Sequence, residues 1–306
     1  MPIGDKNKYD LSVVDELLKV KDVVGWYTRN WDGDFCVDEK YVKYVHLPPD
    51  MDDVNFDLNR THPKDKWKPY DCTYESIDLI LQWIRANCKD QDGKPKRTKG
   101  TTYFCQFFTE QNRHLISEHA QNPDNIKYAK WSHVFERYLV SSDLGKKPDP
   151  SQPISDYEGF HCVYRSQIGE HSLLYGAEID GLSNVDDLKN LNKAKLVELK
   201  VCKESLDLQS FSRHRLFKWW TQGILAKIDS VVVGYRNEEG FIRHLEELKL
   251  ADMTERAKYV MKDAMDTDVY EFKWYPKEKN VSGIKLHPEN NCNFLPEQFK
   301  EWLASA

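Results

Sequence analysis

The chain is predicted to be α+β, with mixed β-sheets flanked by helices. Three observations carry this reading. Short β-branched runs alternate with amphipathic stretches, as in Val231-Val-Val-Gly-Tyr-Arg236. The order strand (Leu196 to Lys200), helix (Leu208 to Ala226), strand (Ile228 to Tyr235) implies a crossover packed on a mixed sheet. Aromatic residues make up 12% of the 306 positions, enough to fill a sizeable core.

The elements follow in order. Tyr74 to Asn87 reads as an amphipathic helix, with Ile77, Ile80, Leu81 and Ile84 on its inner stripe. Thr101 to Phe108 reads as a strand. Lys127 to Leu139 has helical apolar spacing and carries Glu136 among Trp131, Val134, Phe135, Tyr138 and Leu139. Taken alone, Glu136 reads as a surface residue. Phe160 to Ile168 reads as a strand, followed by two more, Leu174 to Asp180 and Leu196 to Lys200. Leu208 to Ala226 is the strongest helix; Arg215, Lys218 and Gln222 form one polar stripe along it, flanked by Trp219 and Trp220. Such a stripe suits either a solvated face or a nucleic-acid backbone. Ile228 to Tyr235 is expected to be a central strand ending at Arg236. Without repeats or a low-complexity linker, residues 1–306 read as one domain.

Two of these strands carry charge where apolar residues would be cheaper. Alternate side chains share a face of a strand, so Glu178 and Asp180 are expected together, as are Glu198 and Lys200. Either pair alone is commonplace in a solvated strand. Together, joined by a polar connection (Gly181 to Ala194) that allows antiparallel pairing, they suggest a platform where carboxylates converge. Crowded carboxylates require a cation, and an oxygen-rich cluster suits Mg²⁺ or Mn²⁺. A lysine beside them can orient water and offset charge at a phosphate.

Composition bounds the setting. The formal net charge of −6 provides no general attraction to nucleic acid, so a polyanion must be held locally. The 7 cysteines are odd in number, widely spaced and without a Cys-x-x-Cys, which suggests reduced thiols in an intracellular protein. No signal peptide or membrane-length apolar run is visible. The basic run Lys94 to Lys99 reads as a solvated loop rather than an import signal.

Gly176-Ala-Glu178-Ile-Asp180, Val197-Glu198-Leu-Lys200, Arg213-His-Arg-Leu-Phe-Lys-Trp-Trp-Thr-Gln222 and Val232-Val-Gly-Tyr-Arg236 resemble, in order and spacing, the DXO family of decapping exoribonucleases. The likeness extends upstream to Leu47-Pro-Pro, Asn55-Phe-Asp-Leu58 and the helix Glu75 to Trp83, and so covers most of the chain. It implies a core similar to the PD-(D/E)XK nucleases and a site for two divalent cations, Mg²⁺ or Mn²⁺. Glu136, Asp180, Glu198 and the Leu199 carbonyl would be ligands, with Glu178 acting mainly through a metal-bound water. Lys200 and Gln222 would contact the scissile phosphate or its water, and Glu75 and His161 would contact substrate. The resemblance thus reverses the surface reading of Glu136. The implied activity is hydrolysis at RNA 5′ ends: release of pyrophosphate from triphosphate ends, removal of incomplete or nicotinamide-type caps, and 5′-to-3′ degradation from monophosphate ends. The implied setting is RNA quality control in the nucleus or cytoplasm, with a 5′-to-3′ exoribonuclease as a further partner.

The chain departs from the family in three places. No Trp-Arg-Gly segment stands between Asn87 and Gly100, so a 5′-phosphate arginine is missing, with Arg29, Arg97 and Arg113 as replacements to choose among. Ser132 stands where the motif around Glu136 begins with glycine. The stretch from Val260 to Trp274 is short. These departures motivate an alternative, a catalytically weakened relative that binds RNA or an exonuclease. A DNA nuclease of the wider class fits the carboxylates but not the Lys-Trp-Trp-Thr-Gln helix.

Overall fold

The computed structural model describes residues 22–67, 78–89, 91–94, 102–106, 123–168, 171–183, 190–204 and 215–254. These residues build two sheets. The first runs, in spatial order, β2 (Phe35–Cys36), β1 (Asp22–Arg29), β7 (Gly159–Ile168), β8 (His171–Ile179), β5 (Thr102–Gln106). Its β1–β7 and β7–β8 pairs are antiparallel and its β5–β8 pair is parallel. The second runs β4 (Phe56–Asp57), β12 (Phe241–Lys249), β11 (Ser230–Arg236), β10 (Leu196–Lys203), β9 (Gly181–Leu182), β3 (Tyr44–Val45), β6 (Val140–Ser141). Among the helices that accompany them are α1 (Asp78–Asn87), α2 (Pro123–Leu139) and α3 (Phe217–Leu225).

Burial explains the layering. α1 packs Ile80, Leu81, Trp83 and Ile84 against Tyr27, Val163 and Leu174 on one face of the first sheet. The opposite face, with Phe160, Tyr164, Tyr175 and Ile179, shares a core with α3 and one face of the second sheet, where Leu196, Cys202, Val231 and Val233 lie. Tyr164 and Tyr175 donate their hydroxyls to the carbonyls of Ala226 and Leu225, at 2.7 and 2.9 Å, tying the first sheet to the end of α3. The far face of the second sheet packs Val197, Leu199 and Val232 on Trp131, Val134, Phe135 and Leu139 of α2.

The expected crossover is present, since β10 and β11 are parallel neighbours with α3 between them in sequence. The polar stripe's tryptophans belong to the core: Trp219 and Trp220 are buried. The predicted strand at 101–108 and the helix at 127–139 are found as Thr102–Gln106 and Pro123–Leu139. The expected helix beginning at Leu208 is described from Phe217.

One expectation is corrected. The two charged strands do not pair with each other. β8 lies in the first sheet between β7 and β5, whereas β10 lies in the second between β11 and β9. The connection opens with β9, and it is β9 that pairs antiparallel with β10, through Leu196 and Val197. The buried runs on both sides explain this: β8 and β10 each offer an apolar face to the shared core, so they face across it rather than lie side by side.

Candidate active site

β9 is only two residues long, so it covers β10 at Leu196 and Val197 and leaves Glu198 to Lys200 without a strand on that edge. An unpaired edge amide is costly to bury. Here the Leu199 amide donates instead to Asp180 Oδ2, at 2.7 Å. In an extended strand a residue's N–H and C=O leave from the same edge, so the Leu199 carbonyl faces the Asp180 side as well. Asp180 stands one residue past the end of β8, where the chain crosses between the sheets. It therefore meets β10 rather than staying with Glu178.

Glu198 and Lys200 share a face of β10, as alternation requires, and the Lys200 ammonium is paired with Glu198 Oε1. Burial disfavours the Lys200 charge, but Glu198 and Asp180 outweigh it and raise the lysine pKa. For Asp180 the balance runs the other way. Burial, then the negative charges of Glu198 and Glu136, push its carboxyl well above the usual range. Three carboxylates are thus within mutual electrostatic reach.

Glu136 comes from α2, and its side chain is 16% exposed, so the surface reading fails. Lys43 Nζ lies 3.1 Å from Oε2, and His133 Nδ1 lies 3.4 Å from Oε1. Burial would raise the Glu136 carboxyl, yet Lys43 and His133 hold it down at about 2. His133 in turn contacts Asp156 through Nε2 at 2.8 Å. Burial opposes a charged imidazole, but Asp156 and Glu136 overcome it and hold the His133 pKa up at about 10. Glu158 adjoins this group and is raised by burial and by Glu136. Lys43, His133, Glu136 and Glu158 line an open cavity of about 320 Å³. Sequence reasoning missed Lys43, His133 and Glu158. The His133-x-x-Glu136 spacing, which puts both on one helix face, was the available signal for one of them; Lys43 sits on a short segment with no pattern.

Glu178 acts on Lys43 as well but is held by other partners. Arg29 Nη2 donates to both of its oxygens, at 3.0 and 3.1 Å, and His161 Nε2 lies 3.8 Å away. Of the three candidate replacement arginines, Arg29 stands at the site; Arg97 and Arg113 lie outside the described residues, as does Glu75. His161, on β7, is opposite Glu178 on β8 and Tyr27 on β1, and its ring stacks on Tyr27 with centroids 4.7 Å apart. Gly159, beside Arg29 in register, leaves the space this pair fills: a Cβ there would stand 2.5 Å from Glu178 Oε1 and 2.9 Å from Arg29 Nη2.

Gln222, on α3, has its Oε1 buried without a hydrogen-bond partner among the described residues. The donors available here are carboxylate, amide and carbonyl oxygens, a set that fits a hard divalent cation. The crowding that raises Asp180 and the orphaned Gln222 oxygen both favour an added positive charge. As they stand, no three carboxylate, imidazole or thiol groups among the described residues converge on one point closely enough to hold a metal. Glu136, Glu178 and Glu198 instead engage Lys43, Arg29 and Lys200.

Comparison with known proteins bears on this arrangement. Residues 94–275 match the family described as RAI1 like PD-(D/E)XK nuclease. The chain is 28% identical over 277 residues to the decapping and exoribonuclease protein of Bos taurus, covering 78% of this chain and 68% of that protein. Against the Homo sapiens protein of the same name it is 27% identical over 278 residues, with 78% and 68% covered. The crystal structure of Scheffersomyces stipitis Rai1 in complex with (3′-NADP)+ and calcium superposes with a TM-score of 0.63 at 19% identity, over 81% of this chain and 75% of that one. Candida albicans Rai1 in complex with pU5-Mn²⁺ gives 0.60 at 18% identity, over 74% and 71%. The structural likenesses carry the fold, the mixed sheets and helices expected of a PD-(D/E)XK core. The sequence match spans more than half of the chain and includes Glu136, Glu178, Asp180, Glu198, Lys200 and Gln222, so the chain belongs to the RAI1-like PD-(D/E)XK nuclease family.

Proposed function

We propose that the protein is a metal-dependent hydrolase of RNA 5′ ends, removing incomplete or nicotinamide-type caps and pyrophosphate and degrading RNA from the 5′ end. The names of the curated relatives support this, as do the Rai1 neighbours solved with pU5-Mn²⁺ and with 3′-FADP. The observation that carries it in this chain is the crowding of Asp180, Glu198 and Glu136 beside Lys200.

Glu136, Asp180, Glu198 and the Leu199 carbonyl are the residues that would hold two divalent cations. When bound, Mg²⁺ or Mn²⁺ neutralises charge at the phosphate and lowers the pKa of water. The chain's own groups do the rest. Asp180 fixes the free edge of β10 through the Leu199 amide. Lys200, held charged, offsets charge that accumulates on the phosphate as it is attacked. Gln222 turns its side-chain amide to the same phosphate or to the attacking water. Arg29 and His161 orient Glu178 toward the substrate's 5′ end.

The test is incubation with 5′-end-labelled RNAs carrying triphosphate, unmethylated cap, nicotinamide cap or monophosphate, with Mn²⁺, Mg²⁺ or chelator. Metal-dependent release of end groups that disappears in Glu178→Ala/Asp180→Ala, with folding retained, is the expected result. Release that persists in that variant, or no product on any end while RNA binding is retained, rules the proposal out.

A further inference from the structure

Arg215, just before α3, and Lys218 on it lie within electrostatic reach of the row Glu198, Lys200, Cys202, which shares one face of β10. The crossover sets the direction of α3. β10 and β11 are parallel, so the chain must return between them, and α3 runs back along β10 from the Cys202 end towards the Glu198 end. The electrostatic neighbours agree: Arg215 acts on Cys202, and Lys218 feels both Lys200 and Arg215. Arg215 and Lys218 therefore follow Lys200 and Cys202 away from the carboxylates.

Lys218 is half-buried and forms no ion pair or hydrogen bond with any described residue, and Arg215 likewise has no carboxylate partner among them. Cations elsewhere around the site behave differently: Lys43, Arg29 and Lys200 each have a glutamate. Lys218 therefore stands beside Lys200 and Arg215 with no carboxylate of its own among the described residues, an arrangement that costs free energy while no anion is bound.

We infer that Arg215 and Lys218 form a second phosphate position, which takes the phosphate next to the one held at Lys200 and Gln222. This rests on the proposed function, because it assumes that a phosphate sits at Lys200. Burial first, and then Lys200 and Arg215, push the Lys218 pKa down to about 7, which an incoming phosphate would reverse. The chemical class is a polyphosphate or phosphodiester chain whose second anionic group follows the first along α3. That group is either the next phosphodiester of an RNA or the second phosphate of a dinucleoside pyrophosphate.

The experiment is equilibrium binding to the full chain in chelator, where no turnover occurs, over a series of salt concentrations. The ligands are uridine 5′-monophosphate, 5′-phosphorylated di- and pentauridylate, and a dinucleoside pyrophosphate. The wild-type chain should gain affinity when the second phosphate is added. Lys218→Met and Arg215→Ala should each lose about tenfold of that gain and lower the salt slope by about one, while binding the monophosphate as the parent does. Lys218→Arg should restore the gain. Loss with the oligonucleotides names the phosphodiester as occupant, and loss with the pyrophosphate alone names the cap; both support the inference. An undiminished gain in both variants overturns it, as does a parent that gains nothing from the second phosphate. Matched melting temperatures exclude misfolding as the cause. If the parent shows this gain but no metal-dependent turnover, the proposed activity fails and the phosphate position stands.

Discussion

Arg29 Nη2 donates to both oxygens of Glu178, joining the last residue of β1 to the penultimate residue of β8 across the intervening β7. The arginine side chain is 7% exposed and the glutamate 44%, so the pair sits at the lip of the site with its cation inside. Removing the glutamate takes a carboxylate away from the buried partner, whereas removing the arginine takes a cation away from the half-exposed one. Glu178→Ala is therefore expected to cost more stability than Arg29→Met, with about 1–3 kcal/mol for the former. Denaturant unfolding of the two variants checks the order; an equal or reversed order contradicts it.

Gly159 offers a test that separates this pair from the fold. A methyl group at residue 159 would meet side chains rather than backbone: Glu178 Oε1 at 2.5 Å, Arg29 Nη2 at 2.9 Å and the His161 ring at 3.1 Å. The shortest contact is with the half-exposed Glu178 carboxylate, which can swing away, so Gly159→Ala should cost no more than about 1–2 kcal/mol of stability. The ion pair cannot survive in its present place. If Glu178 must be held where it is for turnover, Gly159→Ala should lower kcat by at least about tenfold with little change in melting temperature. Turnover equal to wild type would show that the position of Glu178 is immaterial.

These residues also mark where the sequence was readable. β10, α3 and β11 were legible because a polar stripe and two β-branched runs each have one period, and a strand-helix-strand order has one favoured hand. The pairing of β8 with β10 was misread because nothing in the Gly181 to Ala194 connection announces that its first two residues enter the other sheet as β9. Lys43 was invisible for a related reason: β3 is two residues long, and its partners β9 and β6 are far away in sequence. Glu136 alone could not be told from a solvated helix residue, because the groups that bury it and hold it ionised, Lys43 above all, come from elsewhere in the chain. The residues of chemistry, Lys200 among them, were legible as types and spacings; Lys43 and Arg29, which hold Glu136 and Glu178, are brought there only by the tertiary fold.

The Glu136, His133, Asp156 chain has a definite pH signature. His133, raised to about 10 from an ordinary 6.5, stabilises the fold fully below pH 6.5 and loses that contribution as pH rises through 10. Glu136, lowered to about 2 from 4.5, contributes fully above pH 4.5 and loses it as pH falls through 2. Between pH 4.5 and 6.5 both contributions are therefore complete. His133→Gln should flatten the alkaline limb of melting temperature against pH, between pH 6.5 and 10, and leave the acid limb largely intact. A variant whose alkaline limb matches the parent's would show that His133 does not carry a proton there.

Asp180 supplies the complementary experiment, in which the added charge is a metal rather than a proton. Its carboxyl is raised well above the usual range by burial and by Glu198 and Glu136, so the folded state holds this proton more tightly than the unfolded chain does. The sign follows: with metal removed, ionising Asp180 works against folding, and this destabilisation grows as pH rises from the unfolded value of 3.8 towards the folded one. Asp180→Asn keeps an oxygen for the Leu199 amide and removes the charge, so in chelator it should be at least as stable as the parent at neutral pH. Mn²⁺ should reverse the ranking. A ligand that binds only the folded state stabilises it by about 2.7 kcal/mol at a hundred times its Kd, and the parent should gain this where the asparagine variant gains little. Melting curves of both chains with chelator and with millimolar Mn²⁺ decide the matter. Equal Mn²⁺ shifts in the two would exclude Asp180 as a ligand, and a variant less stable than the parent in chelator would show that Glu198 and Glu136 do not crowd it.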